Sequence, residues 1–177
     1  GPMEKGTMAH QVQFELLGAL TREGVAITEQ NLGLIHARLH DTIVRVSREV
    51  FDRFKPAIER VWEDGVQTLE ADLREALRRA ARDDEFKPAH FELSFGLRGK
   101  AVDEMDPAST PDTVTLVEGF QVRGSIDLVE KSPGGMLRAT DYKTGRSRAE
   151  EGNVIGGGQH LQPVLYALVL EKLFMGS

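Results

Sequence analysis

The first half of the chain places apolar residues at the three-to-four-residue spacing that is typical of amphipathic helices. One helix is predicted within residues 7–20, and Gly24 is its expected stop signal. Thr28 or Asn31 is suited to cap a second helix, and a third is expected to open at Pro56. The apolar stripe of the second helix comprises Leu32, Ile35, Leu39, Ile43, Val46, Val50 and Phe54, and that of the third comprises Ile58, Val61, Trp62, Val66, Leu69, Leu73 and Leu77.

From Pro88 onward the pattern changes to the two-residue alternation of β-strands. Residues 113–130 and 135–144 are rich in β-branched side chains and are predicted as strands, whereas residues 101–112 suggest a mobile loop. A glycine-rich stretch leads into a final helix over residues 159–174. This order predicts an α/β fold, with a mixed β-sheet core flanked by helices and an enlarged helical N-terminal half.

Composition restricts the chemistry that the chain can carry. None of its 177 residues is cysteine, which excludes disulfides, thiol nucleophiles, cysteine-ligated zinc and iron–sulfur clusters. A net charge of -6 argues against binding through a broad basic surface, although acidic residues can serve a nucleic-acid enzyme by holding metal ions. No apolar run approaches the roughly 20 residues that span a bilayer, and no signal peptide is visible, so a cytoplasmic protein is expected.

The predicted strands on either side of Pro133 form a hairpin whose register follows from its loop. A three-residue loop over 133–135 commonly combines a type I turn with a left-handed glycine. Ser132 then faces Met136, and five pairs further back Asp127 lies opposite Asp141. Opposed Cβ atoms on paired strands are about 4.5–5.5 Å apart. The hairpin therefore predicts two carboxylates at close range.

Such a carboxylate pair needs a proton or a cation between its members. Carboxylate oxygens are the ligands that Mg²⁺ and Mn²⁺ prefer. Lys143 lies two residues after Asp141, so both share a strand face, and the lysine could orient a metal-bound water. These residues suit metal-assisted hydrolysis of a phosphodiester. Spacing alone equally allows Lys143 to bridge Asp127 and Asp141 as surface charges.

Five short motifs follow one another along the chain in a recognisable order. They are G-x-x-x-H at Gly6–His10, E-x-x-F-G at Glu92–Gly96, G-x-I-D at Gly124–Asp127, D-Y-K-T-G at Asp141–Gly145 and Q-x-x-x-Y at Gln162–Tyr166. In this order they resemble the RecB-like nuclease family of the PD-(D/E)XK superfamily, particularly the nuclease domain of AddB-type helicase–nuclease subunits.

The resemblance implies a metal centre and a catalytic lysine. His10, Asp127, Asp141 and the main-chain carbonyl of Tyr142 would bind Mg²⁺ or Mn²⁺. Lys143 would position or activate the attacking water. Asp127, Asp141 and Lys143 are thus the expected catalytic residues.

Further residues are expected near the substrate. The resemblance implies that Gln162 and Tyr166 act together towards the DNA backbone or the catalytic lysine, and that Glu92 either supports the site or contacts a second ion. Arg146 and Arg148 follow the lysine closely and are candidates for phosphate contacts.

The implied activity is a metal-dependent deoxyribonuclease that hydrolyses DNA phosphodiester bonds. Its expected substrate is single-stranded DNA, cleaved as an exonuclease in DNA repair or recombination. The resemblance also implies a helicase motor in the same or a partner protein, because this chain has no G-x-x-x-x-G-K-[ST] motif with which to hydrolyse ATP itself. AddB-type proteins usually bind an iron–sulfur cluster through cysteines, and this chain departs from them there.

The remaining expectations concern organisation and alternatives. Residues 1–3 are read as a tag remnant with the start of the chain, and residues 4–177 as one nuclease domain, excised from or related to a larger helicase–nuclease. One alternative is a catalytically inactive nuclease fold that binds DNA or acts as a scaffold. Another is a helical interaction module with an incidental acidic hairpin.

Overall fold

The computed structural model describes residues 2–99, 101–116, 119–140 and 163–175. The chain divides into two compact units, Gly1–Lys87 and Pro88–Ser177. Within the described ranges, the first unit is helical, and the second contains the strands and a closing helix. The predicted mixture of helices and a β-sheet is therefore confirmed. None of the helices in these ranges is long and apolar enough to cross a membrane.

The first unit consists of three helices, α1 (Pro2–Arg22), α2 (Leu32–Phe54) and α3 (Glu59–Arg82). Helix α1 ends as predicted: Gly24 adopts a φ of 68°, and the next amide, that of Val25, donates to the carbonyl of Leu20 at 2.9 Å. Asn31 precedes α2, but its side chain orders the linker instead of capping the helix. Its Oδ1 accepts a hydrogen bond from the Thr28 amide at 2.9 Å.

The core of the first unit follows the predicted stripes over most of their length. On α2 the buried residues are Ile35, Leu39, Ile43, Val46 and Val50, and on α3 they are Leu69, Leu73, Leu77 and Ala81. The prediction is wrong around the start of α3, which begins at Glu59 and not at Pro56: Ile58 and Val61 are 62% and 65% exposed. It is also wrong at Phe54, at the end of α2, which is 51% exposed. Helical periodicity identifies which residues share a face, but not how far along that face a neighbouring helix extends.

The second unit contains a three-stranded sheet in the order β1 (Lys87–Phe95), β4 (Gly124–Lys131), β5 (Leu137–Thr140). Strands β2 (Val114–Thr115) and β3 (Gln121–Val122) form a separate antiparallel pair. Helix α4 (Pro163–Leu170) continues into a π-helical turn, Glu171–Met175. The buried core of this unit comprises Leu93, Phe95, Val114, Leu116, Ile126, Val129, Tyr166, Val169 and Leu170.

The hairpin between β4 and β5 has the predicted register. Leu128 pairs with Thr140 in an antiparallel arrangement, and the Ser132 amide donates to the Met136 carbonyl at 2.9 Å. Gly135 has a φ of 87°, the left-handed conformation expected at the end of a three-residue loop. The described part of β5 ends at Thr140, and Asp141 lies beyond it.

Residues 106–110 differ from the mobile loop that was expected, because they run alongside β1 and bond to it. The Asp106 amide donates to the Glu92 carbonyl at 3.2 Å, and the Thr110 amide donates to the Ser94 carbonyl at 2.9 Å. The amide of Gly96 in turn donates to Thr110 at 3.1 Å. This segment therefore satisfies backbone groups of β1 as a short added strand would.

Candidate metal centre

Two acidic side chains meet on neighbouring strands of the second unit. Glu92 lies on β1 and Asp127 on β4, and a carboxylate oxygen of each lies within 4.8 Å of the other. Glu92 is buried, with 9% of its surface exposed, and Asp127 is partly buried. Two carboxylates this close repel each other unless a proton or a cation lies between them. Their oxygen atoms are hard ligands of the kind that Mg²⁺ and Mn²⁺ bind.

Glu92 reaches this position through an unusual backbone conformation. Its φ is 53°, in the left-handed region, although it lies in the middle of a strand and is not glycine. A left-handed conformation costs an L-residue roughly 1–2 kcal/mol. Local sequence preferences would not predict this conformation, because they disfavour a left-handed glutamate within a strand.

The rest of the E-x-x-F-G motif is structural. Phe95 is fully buried in the core of the second unit. Gly96 has a φ of 67°, and a Cβ added there would lie 2.7 Å from the Cβ of Arg123 and 3.1 Å from the Cα of Thr113. Glycine is therefore required both by the backbone conformation and by the close approach of neighbouring residues. One motif thus supplies a carboxylate, a core residue and a close-packed turn.

Strand alternation explains the position of Asp127. Ile126 is fully buried in the core, so Asp127 points to the opposite face of β4. The hydroxyl of Tyr166 donates to the Ser125 carbonyl at 3.5 Å, which links α4 to the strand that carries Asp127. Tyr166 is only 6% exposed, and its ring belongs to the core. Its predicted action on DNA stays a prediction.

Asp106 fixes the backbone on both sides of Glu92. One carboxylate oxygen accepts the Phe91 amide at 3.0 Å, and the other accepts the Ala108 amide at 2.8 Å and contacts His90 Nδ1 at 3.1 Å. Burial raises the pKa of Asp106, but the hydrogen bonds from His90, Ala108 and Phe91 outweigh it and hold that pKa below its ordinary value.

The His90 ring is held in turn by an aromatic neighbour. It stacks on Phe174, with ring centroids 4.7 Å apart and an angle of 23° between the planes. Sequence reasoning did not identify Asp106. A usable signal was present, because an aspartate at the start of a Pro-containing turn commonly accepts hydrogen bonds from the amides that follow it.

The other predicted site residues stand as follows. His10 lies on α1 in the first unit, and its side chain is partly buried. Outside the described residues lie Asp141, Tyr142, Lys143, Arg146, Arg148 and Gln162. Among the predicted ligands in the second unit, the structure therefore brings together Glu92 and Asp127.

Comparison with known proteins covers the chain almost from end to end. A family model described as the PD-(D/E)XK nuclease superfamily matches residues 2–176. No curated protein matches the chain significantly. The matched range includes all but the first residue of one unit and the last residue of the other, and every residue of the candidate centre. Nucleases of this superfamily use divalent metal ions, in agreement with the oxygen ligands that Glu92 and Asp127 offer.

Proposed function

Because the chain belongs to the PD-(D/E)XK nuclease superfamily, we propose that it is a metal-dependent deoxyribonuclease whose ion binds between β1 and β4. The observation that carries this proposal is the pair formed by Glu92 and Asp127, two acidic side chains within 4.8 Å on neighbouring strands. A cation bound between the two carboxylates would turn their mutual repulsion into binding.

The proposed ligand set extends beyond this pair. Continuing the register of β4 and β5 by one pair beyond Leu128 and Thr140 would set Asp141 opposite Asp127. Asp141, the main-chain carbonyl of Tyr142 and His10 would supply the remaining ligands, as the motif order implies. Glu92 then becomes either a direct ligand or the acceptor for a metal-bound water.

The proposed reaction is hydrolysis of a phosphodiester. A bound Mg²⁺ or Mn²⁺ would neutralise the phosphate and lower the pKa of water. Lys143 would hold the attacking water oxygen in line with the bond to be broken and offset charge on the phosphate. The water oxygen bonds to phosphorus and loses a proton to the solvent, the P–O ester bond breaks, and the departing oxygen takes up a proton from the solvent. The products are a phosphate monoester and a free hydroxyl.

The setting of this activity is inferred from the AddB-type resemblance of the five motifs. We propose single-stranded DNA as substrate, exonuclease action, and a role in repair or recombination beside a helicase motor, in the cytoplasm. The residues that would bind the DNA strand are Gln162, Tyr166, Arg146 and Arg148. The helices of residues 2–82 would be an enlargement of the family core. A net charge of -6 gives little non-specific affinity for DNA, which is consistent with a motor that delivers the strand.

The test is cleavage of end-labelled single-stranded and duplex DNA with Mn²⁺, Mg²⁺ or EDTA. The wild type is compared with Lys143→Ala and with Lys131→Ala, a matched control at the exposed end of β4. We expect cleavage with metal that is lost in Lys143→Ala and retained in Lys131→Ala. Equal cleavage by all three proteins would exclude the lysine mechanism. A protein that binds DNA but never cleaves it would instead be the inactive scaffold.

A further inference from the structure

The conformation of Glu92 requires a cause outside its own strand. A non-glycine residue remains left-handed only where its surroundings determine the backbone more strongly than its own preference does. Glu92 has a φ of 53° within β1, and its neighbours Leu93 and Phe95 are fully buried in the core. Burial of these residues therefore fixes the chain after Glu92, and the conformation at Glu92 also depends on what holds the chain before it, where Phe91 is itself buried.

Asp106 holds the chain there through two contacts, one on each side of the peptide group that joins Phe91 to Glu92. Its side chain accepts the Phe91 amide at 3.0 Å, and its own amide donates to the Glu92 carbonyl at 3.2 Å. In a regular strand the amide of one residue and the carbonyl of the next point to opposite edges. Here both are bound by the same residue, and the left-handed φ of Glu92 is what allows it.

Asp106 is itself held in place, so it can impose a conformation on β1. Its side chain is 8% exposed and also binds the Ala108 amide at 2.8 Å and the His90 ring at 3.1 Å. Just downstream, the Ser94 amide donates to Ser109 Oγ at 2.9 Å, which anchors the same segment to β1. The segment thus has one attachment around Glu92 and a separate one beyond it.

We propose that Asp106 is a positioning residue for the metal centre, which holds Glu92 in the left-handed conformation that turns its carboxylate towards Asp127. The part of this inference that concerns the metal rests on the proposed function. The part that concerns the backbone of Glu92 does not. Removing the Asp106 side chain would release the Phe91 amide and leave the Glu92 carbonyl held only by the main-chain amide of residue 106, so that β1 would relax towards regular strand geometry.

Two measurements on the full chain separate these parts. NMR without metal reports the conformation of Glu92, because a left-handed residue has a strong NOE between its own amide and α protons. Calorimetric titration with Mn²⁺ reports the affinity of the centre. The variants are Asp106→Ala, Asp106→Asn in case the alanine variant fails to fold, and the control Ser109→Ala, which removes an attachment not adjacent to Glu92.

In Asp106→Ala we expect loss of the left-handed signature and a decrease in Mn²⁺ affinity of about tenfold or more, the usual effect of removing a residue that orients a ligand. Ser109→Ala should keep both properties. Asp106→Asn, which loses one acceptor, should fall between them. A left-handed Glu92 that persists in Asp106→Ala would overturn the inference, as would an equal loss of affinity in Ser109→Ala. A wild type that binds no Mn²⁺ would refute the proposed function, while the NMR comparison would still decide what Asp106 does to Glu92.

Discussion

Gly96 shows how a single position combines two physical requirements. Its φ of 67° disfavours any side chain, and a Cβ would also lie 2.7 Å from Arg123 Cβ. Gly99 has a φ of 94° but nothing within 4 Å of its would-be Cβ. The two glycines therefore share a conformational requirement and differ in the space around them.

We expect Gly96→Ala to lower the free energy of unfolding by about 2–4 kcal/mol, from roughly 1–2 kcal/mol of backbone strain and a similar steric cost. Gly99→Ala should show only the backbone part. Urea denaturation of both variants measures the difference. Equal losses in the two would mean that Arg123 and Thr113 move aside at little cost.

At the same scale, Glu92 and Asp106 were hard to predict for one reason. Their roles depend on a backbone conformation and on hydrogen bonds between segments about 15 residues apart in the chain. Residue preferences are averages over many contexts and favour neither a left-handed glutamate in a strand nor a buried aspartate in a turn-rich segment. The motif nevertheless named Glu92, because the type and spacing of its residues are visible without the fold.

Among the secondary-structure elements, the hairpin was the most predictable. Its register depends on a loop of three residues, Pro133 to Gly135, and on side-chain alternation, both of which are local properties. The start of α3 was less predictable, since the exposure of Ile58 and Val61 depends on which neighbours the folded unit provides. Local periodicity predicts a face, and the partner of that face is a property of the tertiary structure.

The surroundings of His36, on α2, predict that the free energy of unfolding depends on pH. Burial, and next the positive charge of Arg74, lower the pKa of His36 below 6.5. The unfolded chain therefore takes up a proton at His36 before the folded protein does, so the free energy of unfolding should fall as the pH drops through 6.5 towards the folded pKa.

Urea denaturation at several pH values on both sides of 6.5 measures this effect. We expect His36→Gln to flatten the dependence, because glutamine does not titrate. His40→Gln, one helical turn away on α2, is the comparison variant; its side chain is 55% exposed, and the substitution also removes the contact of the His40 ring with Glu70 at 3.0 Å. An unchanged slope in His36→Gln would assign the pH dependence to other groups.

For the whole molecule, the paired carboxylates predict a link between metal binding and stability. Asp127→Asn replaces one of the two carboxylates with a neutral amide, a weaker ligand for a hard cation, so the variant should bind Mn²⁺ less tightly than the wild type. Mn²⁺ should raise the melting temperature of the wild type, by mass action, and much less that of the variant.

Differential scanning fluorimetry with Mn²⁺ and with EDTA makes this comparison. Asp103→Asn is a suitable control, since this aspartate is exposed in the 3-10 turn of the second unit, Val102–Glu104. A full Mn²⁺ shift in Asp127→Asn would mean that the ion binds elsewhere. No shift in the wild type would favour the helical interaction module.

Periodicity, turn chemistry and motif spacing act within a few residues, so the helices, the hairpin with its register, and the candidate residues Glu92 and Asp127 could be predicted without the fold. The tertiary structure decided which of these residues meet. It alone set Glu92 beside Asp127, placed Asp106 around the Glu92 backbone and left the start of α3 exposed. Such contacts join distant segments, and their free energy depends on packing and burial that exist only once the chain is folded.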